Sequence, residues 1–276
     1  MKKDDVLVCV FSYNMGVTLN NCLSYLDRFC DGFDAVVIDD NSTDPATLTS
    51  IEKWRNRLLD VIVNTTPKHG QKHGNLYANV AAMCDYARER GYKYLFMVQD
   101  DMQFVRPLDD RVLAEYTAIF ASSERILQVD PRFLREGQYE VLPDIRAYKN
   151  LGPTSYADVG FIDLNRLKAS GWTIRDGERV NRDALASLGY QRVFPFTPVV
   201  MHVPFPQKYR NGRLKRSWLL RNRGKYGFHA MSEHEILDMD ARDVYALPIF
   251  RRFLRVRNMF LSRIVYWLKK DSRVLS

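Results

Sequence analysis

The chain has 276 residues, of which 46% are hydrophobic, and carries a formal net charge of +8. This length and composition support one large hydrophobic core, so we expect a single domain with at most a small appendage. MKKDD places acids where a signal peptide has its apolar stretch, and no run reaches the roughly 18 apolar residues of a membrane-spanning helix, so we expect neither feature.

The positive charge is concentrated in the last quarter of the chain. From Val203 onward there are 17 Lys and Arg residues against 6 Asp and Glu, whereas the preceding part has 24 against 27. This distribution predicts an anionic partner for the last quarter: nucleic acid, a membrane surface or a phosphate group. The four cysteines lack the CxxC spacing of metal sites and lie in apolar patterns, which is typical of reduced core thiols in a cytosolic protein.

The first hundred residues alternate between strand and helix patterns. Strands are predicted at 6–11, 33–40, 61–64 and 92–101, and helices at 19–30, 45–59 and 76–87. Asp44 followed by Pro45 is typical of a helix start, and Gly91 of a helix end. Strands joined by helical crossovers indicate an α/β fold with a parallel sheet and helices on both faces.

Polar and acidic residues follow three of these strands. The first strand leads into Ser12-Tyr13-Asn14, the second into Asp39-Asp40-Asn41-Ser42, and the fourth into Asp100-Asp101. Each group alone would be read as a solvated loop. Because ligands of such sheets gather at the carboxyl ends of the strands, three coinciding groups predict a binding site.

The site lacks the glycine patterns that usually hold phosphates. Neither G-x-G-x-x-G after the first strand nor G-x-x-x-x-G-K-[ST] is present. A nucleotide would therefore need another group to neutralise its diphosphate. Asp100 and Asp101 suit Mg²⁺ or Mn²⁺, which bind a few protein oxygens together with substrate phosphates.

Four motifs in order resemble glycosyltransferase family 2, whose members have the GT-A fold. They are FSYN (11–14), VVIDDNSTD (36–44), GNLYANVA (74–81) and VQDDMQF (98–104). The resemblance covers about residues 4–220 and implies a Rossmann-like, mostly parallel central sheet flanked by helices.

The resemblance also implies a division of the chain. A catalytic domain would cover 1–245, with a nucleotide-binding half at 1–105 and an acceptor-binding half at 106–245. Separately from the resemblance, the apolar spacing and basic charge of the tail predict an amphipathic helical extension at 246–276.

The resemblance further implies a nucleotide-sugar site and a metal site. The nucleotide-sugar residues would be Ser12, Asn14, Asp39, Asp40, Lys72, Asp100, Gly160, Arg213 and Arg216. Lys72 fits an ordinary surface lysine equally well, and Arg213 or Arg216 would clamp the diphosphate. The metal ligands would be Asp101, Asp100 and His202, with Asp101 the principal one. Val98 and Gln99 stand where the family often has a further acid, which leaves the division of roles between the two aspartates open.

The acceptor half contains DVGFIDLNRLKASGW (158–172), which resembles the family segment where a glycine-led turn faces the donor sugar. The usual position of the catalytic base then falls on Glu178, with Asp176 and Asp183 as alternatives. An inverting transfer needs such a base to take the proton of the acceptor hydroxyl. We therefore predict Glu178 and Asp101 as the catalytic residues.

Residues 248–270 combine apolar residues at helical spacing with many arginines and lysines. Such an amphipathic helix either lies on an anionic membrane or docks on the protein body. Nucleic acid is not expected as a partner, because the acidic strand ends would repel phosphates and no nucleic-acid-binding module is recognisable.

Together these features predict a metal-dependent inverting glycosyltransferase that uses a nucleotide-diphosphate sugar, a UDP-sugar foremost. A glycan or a lipid-linked acceptor is expected, in cell-surface polysaccharide or glycolipid synthesis. The expected location is the cytoplasm, with peripheral contact to the inner face of the membrane. The alternatives are a sugar-nucleotidyl transferase and a catalytically degenerate GT-A-like binding protein.

Overall fold

The computed structural model describes residues 1–66, 74–152, 155–204 and 227–257. Its strands in chain order are β1 (Val6–Ser12), β2 (Asp34–Asp39), β3 (Asp60–Val63), β4 (Tyr94–Gln99), β5 (Met102–Phe104), β6 (Ile126–Val129), β7 (Tyr139–Leu142), β8 (Ala147–Asn150), β9 (Gly160–Asp163), β10 (Gln191–Pro195) and β11 (Val200–His202). Its α-helices are α1 (Gly16–Phe29), α2 (Pro45–Trp54), α3 (Leu76–Glu89), α4 (Asp110–Ser122), α5 (Leu164–Ala169), α6 (Glu178–Ser187), α7 (Glu233–Asp240) and α8 (Phe250–Phe253).

A large mixed sheet organises these elements in the order β3-β2-β1-β4-β9-β6-β10-β8-β7. Strands β3, β2, β1 and β4 are parallel, and β9 runs antiparallel to both of its neighbours. The predicted α/β architecture is confirmed. The second helix ends at Trp54 rather than near Leu59, because the chain tightens into a 3₁₀ turn over Arg55–Arg57.

Apolar side chains cover both faces of the parallel part of the sheet. In β1, Val6, Val8 and Val10 pack into one core cluster, whereas Leu7 and Cys9 pack into another on the opposite face. This alternation follows from the two-residue period of a strand. All four cysteines are buried and unpaired, as predicted.

The antiparallel strand β9 is held between β4 and β6 by a glycine and a buried amide. Gly160 has φ of +97°, and a Cβ there would lie 2.8 Å from the carbonyl oxygen of Val129. The side chain of Gln128 donates to the carbonyl oxygens of Ala157 (2.8 Å) and Val159 (2.6 Å), and accepts from the amide of Ala157 (2.8 Å). These bonds fix the backbone on both sides of residue 158.

A small second sheet pairs β5 with β11. Its register places His202 opposite Met102, the residue that follows Asp101. The amide of Val203 also donates to the carbonyl oxygen of Asp101 at 2.8 Å. This pairing brings the end of a late strand to the acidic pair.

The C-terminal part of the described chain packs on the body. Arg106, which is 1% exposed, forms a two-point ion pair with Asp240 of α7 at 2.7 and 2.8 Å. Phe250, Leu254 and Val256 are buried in a cluster with residues of the body that include Val105, Phe133, Met201 and Phe228.

The amphipathic helix predicted over 248–270 is therefore helical at Phe250–Phe253, and Val256 then forms a bridge with Phe228. Its residues from 258 onward lie outside the described ranges. Among the helices of the described ranges, none is both long and apolar enough to cross a membrane.

Candidate active site

The three predicted strand ends meet at the carboxyl edge of the sheet. The amide of Asp40 donates to the carbonyl oxygen of Ser12 (2.9 Å), and the amide of Asp100 donates to that of Phe11 (3.0 Å). Parallel pairing of β1 with both β2 and β4 produces this convergence.

Two of the predicted nucleotide-sugar residues shape the loop between β2 and α2. Asn14 has φ of +51°, and its Oδ1 accepts from the amides of Thr43 (2.8 Å) and Asp44 (2.9 Å). The carboxylate of Asp39 accepts from the amide and the hydroxyl of Ser42, both at 2.7 Å. Both side chains thus hold in place the loop between β2 and α2, which forms the rim of the site. Their contact with a nucleotide stays a prediction.

Ser12 and Asp40 lie beside this rim and are buried. Asp40 accepts from the side-chain amide of Asn75 at 2.8 Å and from its backbone amide at 3.2 Å. The Ser12 hydroxyl has no hydrogen-bond partner among the described residues. A buried hydroxyl without a partner is costly, which makes this atom unusual for a side chain of the protein interior. Lys72 lies outside the described residues.

The acidic pair lies between β1 and β11. Asp100 Oδ2 accepts from the amide of Tyr13 at 2.8 Å, which turns this carboxylate towards the end of β1. Asp101 Oδ1 lies 2.8 Å from Nδ1 of His202. Although 101 residues separate them in sequence, the predicted ligands Asp101 and His202 are direct neighbours.

The donor chemistry of this pair fits a divalent metal. Carboxylate oxygen and imidazole nitrogen are both ligands of Mn²⁺, and phosphate oxygens of a substrate commonly complete such sites. Within the four described ranges, no group of three or more His, Cys, Asp or Glu side chains is arranged around a single metal position. Burial lowers the pKa of His202 although Asp101 acts in the opposite direction, which favours the neutral imidazole that metals bind.

An arginine that the sequence analysis missed contacts this histidine. Arg132 Nη1 lies 3.0 Å from His202 Nε2, and the same guanidinium binds Asp130 through Nε (2.8 Å) and Nη2 (2.5 Å). Asp130 is fully buried and also lies 3.4 Å from Arg192. Burial alone would raise the pKa of Asp130, but the two arginines hold it below its ordinary value. Asp130 could have been found from the sequence, because it directly follows the apolar strand ILQV, just as acids follow two of the other predicted strands.

The predicted base Glu178 begins α6, directly after Gly177 at φ of +101°. Its side chain is exposed, yet its charge acts on Asp158 and on Arg132. Burial, followed by the charge of Glu178, raises the pKa of Asp158 to about 6, against a smaller opposing effect of Arg132. Asp158 is thus a second site residue that was missed, although it is the first residue of the DVGFID stretch.

The two alternative bases, Asp183 and Asp176, differ in their contacts. Asp183 is half-exposed and pairs with Arg179 (3.3 Å) and Arg182 (3.2 Å). Asp176 is exposed, and its charge acts on the hydroxyl of Tyr77, as does that of Glu178.

The remaining predicted residues are Gly160, Arg213 and Arg216. Gly160 is buried, and β6 lies so close to its Cα that a larger side chain would not fit, which is sufficient to explain why this residue is a glycine. The two arginines lie outside the described residues.

No family model and no curated protein matches the sequence. Solved structures do match. S. aureus TarS is 15% identical with a TM-score of 0.50, and the match covers 74% of this chain but 37% of TarS. Mannosyltransferase PcManGT from Pyrobaculum calidifontis, in complex with GDP-Man and Mn²⁺, is 17% identical over 74% of this chain and 58% of its own, with a TM-score of 0.49.

Glucosyl-3-phosphoglycerate synthase from Mycobacterium tuberculosis, in complex with Mn²⁺, UDP and glucosyl-3-phosphoglycerate, is 15% identical over 74% and 73%, with a TM-score of 0.46. The strand order and the match to TarS, of which this chain spans little more than a third, agree with the fold implied by the sequence motifs. The chain therefore has the fold of the GT-A glycosyltransferases.

Proposed function

We propose that the chain is a metal-dependent inverting glycosyltransferase that moves a sugar from a nucleotide-diphosphate donor to a hydroxyl group of a glycan or lipid-linked acceptor. The observation that carries the proposal is the meeting of Asp100, Asp101 and His202 at the carboxyl edge of a GT-A sheet. Ligands of open α/β sheets bind at this edge. A UDP-sugar is the first donor to test, and cell-surface polysaccharide or glycolipid synthesis is the proposed role.

Donor binding is assigned to the rim and to the acidic pair. Ser12, whose hydroxyl has no hydrogen-bond partner within the described ranges, and Asp40 are the proposed contacts of the nucleoside. A Mn²⁺ or Mg²⁺ ion held by Asp101 and His202 would neutralise charge on the diphosphate. The guanidinium of Arg132, which is anchored on Asp130, would add a positive charge near the diphosphate.

In the proposed transfer, the acceptor oxygen forms a bond to the anomeric carbon while the bond from that carbon to the diphosphate oxygen breaks. The nucleoside diphosphate leaves with the electron pair of the broken bond, and the hydroxyl proton passes to a carboxylate. Glu178 is the proposed base. Asp158 is a second candidate, because a carboxyl group with a pKa of about 6 accepts protons effectively near neutral pH.

Two variants distinguish the candidate bases. Glu178→Gln should keep nucleotide binding and lose transfer by roughly 100-fold or more, since positioned bases contribute about that much. Asp158→Asn should then retain most of the activity. The opposite pattern would assign the base to Asp158, and full activity in both would return the role to Asp176 or Asp183.

Calorimetry tests the donor site. The 276-residue chain would be titrated with UDP, GDP, dTDP and CDP, with and without Mn²⁺. We expect one nucleotide to bind tightly and only with metal, and Asp101→Ala to abolish this binding. Asp144→Ala, which removes an exposed carboxylate on the turn before β8, is the matched control. A wild-type protein that binds none of the four would favour a catalytically degenerate relative.

Membrane contact is proposed for the basic tail beyond the docked residues 250–256, from a cytoplasmic location. Replacing Arg263, Lys269 and Lys270 with glutamate in the full chain should abolish cosedimentation with vesicles rich in phosphatidylglycerol, because the attraction is electrostatic. Absence of wild-type binding to these vesicles would contradict the membrane proposal.

A further inference from the structure

Both ring nitrogens of His202 are engaged in the described structure. Nδ1 lies 2.8 Å from the carboxylate of Asp101, and Nε2 lies 3.0 Å from the guanidinium nitrogen Nη1 of Arg132. The residue that is proposed to bind a metal thus lies between a carboxylate and a guanidinium of its own chain.

The chemistry of the guanidinium fixes the proton on this ring. Arginine has donors and no acceptor, so Nε2 of His202 must be the acceptor in its contact with Arg132. A neutral imidazole carries one N–H, which then lies on Nδ1 and donates to Asp101. A doubly protonated ring would direct an N–H at the N–H of Arg132 and is incompatible with this geometry.

Arg132 cannot leave this position without cost. Its Nε and Nη2 bind Asp130 at 2.8 and 2.5 Å, and Asp130 is fully buried. Two parallel hydrogen bonds from a guanidinium to a carboxylate define both the distance and the plane of the group. Nη1 is therefore held towards His202 by an anchor inside the protein.

This arrangement conflicts with metal ligation by His202 through either nitrogen. At Nε2 the metal would have to displace the N–H of Arg132. At Nδ1 the proton would have to move to Nε2, which could then no longer accept from Arg132. In both cases the contact between Arg132 and His202 must break before His202 becomes a ligand.

We propose that Arg132 is a positioning residue that competes with the divalent metal for His202, so that the metal enters the site together with the nucleoside diphosphate rather than before it. The inference rests on the proposed function, because it assumes that His202 is a metal ligand. The diphosphate supplies oxygen ligands to the metal and acceptors for the freed Nη1.

The first test uses the wild-type protein. Long-range ¹H–¹⁵N correlation spectra of the metal-free, ¹⁵N-labelled chain report which nitrogen of each imidazole is protonated. The chain has 5 histidines, and the signal of His202 is identified by its loss in His202→Asn. We expect His202 to be protonated on Nδ1 only. Protonation on Nε2, or on both nitrogens, would overturn the proposal.

The second test measures Mn²⁺ binding by the EPR signal of the free ion, without nucleotide. Removing Arg132 alone would leave Asp130 buried without its main partner, so the variant is the neutral pair Asp130→Asn with Arg132→Met. We expect it to bind Mn²⁺ at least tenfold more tightly than the wild type. Asp130→Asn alone keeps Arg132 and is the matched control. Equal affinity of the wild type and the double variant, including binding by neither, would overturn the competition.

The two proposals fail in different ways. If the wild type binds no nucleotide with Mn²⁺ in calorimetry, the transferase proposal fails, whereas the tautomer of His202 is measured without any ligand. If nucleotide and Mn²⁺ bind together but the double variant gains no affinity for Mn²⁺ alone, the transferase proposal stands and the role of Arg132 is refuted.

Discussion

The ion pair between Asp130 and Arg132 should be among the most sensitive positions in the structure. Asp130 has no exposed surface, and Arg132→Leu would leave it with Arg192 at 3.4 Å as its remaining ion-pair partner among the residues that the structure describes. Removing one partner of a buried ion pair costs about 3–5 kcal/mol. In a domain of this size about 1 kcal/mol lowers Tm by roughly 2–4 °C, so we expect a decrease of about 10 °C.

The loss should depend on pH. In the wild type the arginines hold the pKa of Asp130 below its ordinary value of 3.8, so the stabilisation is complete above that pH and is lost as the pH falls through the lower, folded value. In Arg132→Leu, burial prevails and the pKa of Asp130 rises. The carboxyl group then takes up a proton in mild acid, and the stability deficit should shrink between pH 7 and pH 5.

Urea denaturation followed by circular dichroism measures both effects. The set comprises the wild type, Arg132→Leu, the double variant Asp130→Asn with Arg132→Leu, and Arg125→Leu as an exposed arginine control. The double variant should recover part of the loss, because it leaves no buried carboxylate, whereas Arg192 loses its contact to Asp130 at 3.4 Å. A loss below about 1 kcal/mol, the range of exposed ion pairs, or a loss that is equal at both pH values would refute the reasoning.

Three further predictions concern stability. Gly160→Ala should lower the free energy of unfolding by about 3 kcal/mol, because the position combines a positive φ with a clash of the added Cβ. Gly91→Ala is the control and should cost about 1 kcal/mol, because φ is also positive there but the added Cβ meets nothing within 4 Å. Equal losses of stability in thermal melts would exclude the clash. Asp158→Asn should stabilise the protein by about 2–3 kcal/mol at pH 8 and hardly at pH 4. The reason is that folding raises the pKa of Asp158 from 3.8 to about 6, so the carboxyl group lowers the stability of the wild type as the pH rises through this window. A gain in stability that does not change with pH would contradict this. Arg106→Leu should lower the free energy of unfolding by about 2–4 kcal/mol and increase amide hydrogen exchange in α7. The reason is that Asp240 then keeps only its contact to the exposed Arg111 among the described ion pairs. Unchanged exchange in α7 would show that Arg106 does not hold this helix on the body.

Features that depend on local sequence were predictable. The polar strand ends and the start of α2 could be read directly, and the Asp44 side chain does accept from the amide of Thr47 at 3.1 Å, with Pro45 at the first helical position. These signals are local because strand burial and helix capping each involve residues a few positions apart.

The missed site residues depend on long-range pairing. Asp130 and Asp158 approach the site because β9 is inserted antiparallel between β4 and β6, and no local pattern indicates that order. Arg132 gains its role from a contact to His202, 70 residues away. In the tail, the spacing of apolar residues predicted a continuous helix, but α8 ends at Phe253, and the extended chain after it buries Leu254 and Val256 against the body.

The buried cysteines make the protein suitable for site-directed labelling. Burial raises the pKa of all four thiols, that of Cys84 to about 12 and those of Cys9, Cys22 and Cys30 well above their ordinary value. Because the thiolate is the reactive form, maleimides should leave the native cysteines untouched at neutral pH. Val17 is 47% exposed in the first turn of α1, three residues after Asn14 at the rim of the site. A fluorophore on Val17→Cys would therefore report the arrival of a nucleotide in an otherwise unaltered chain.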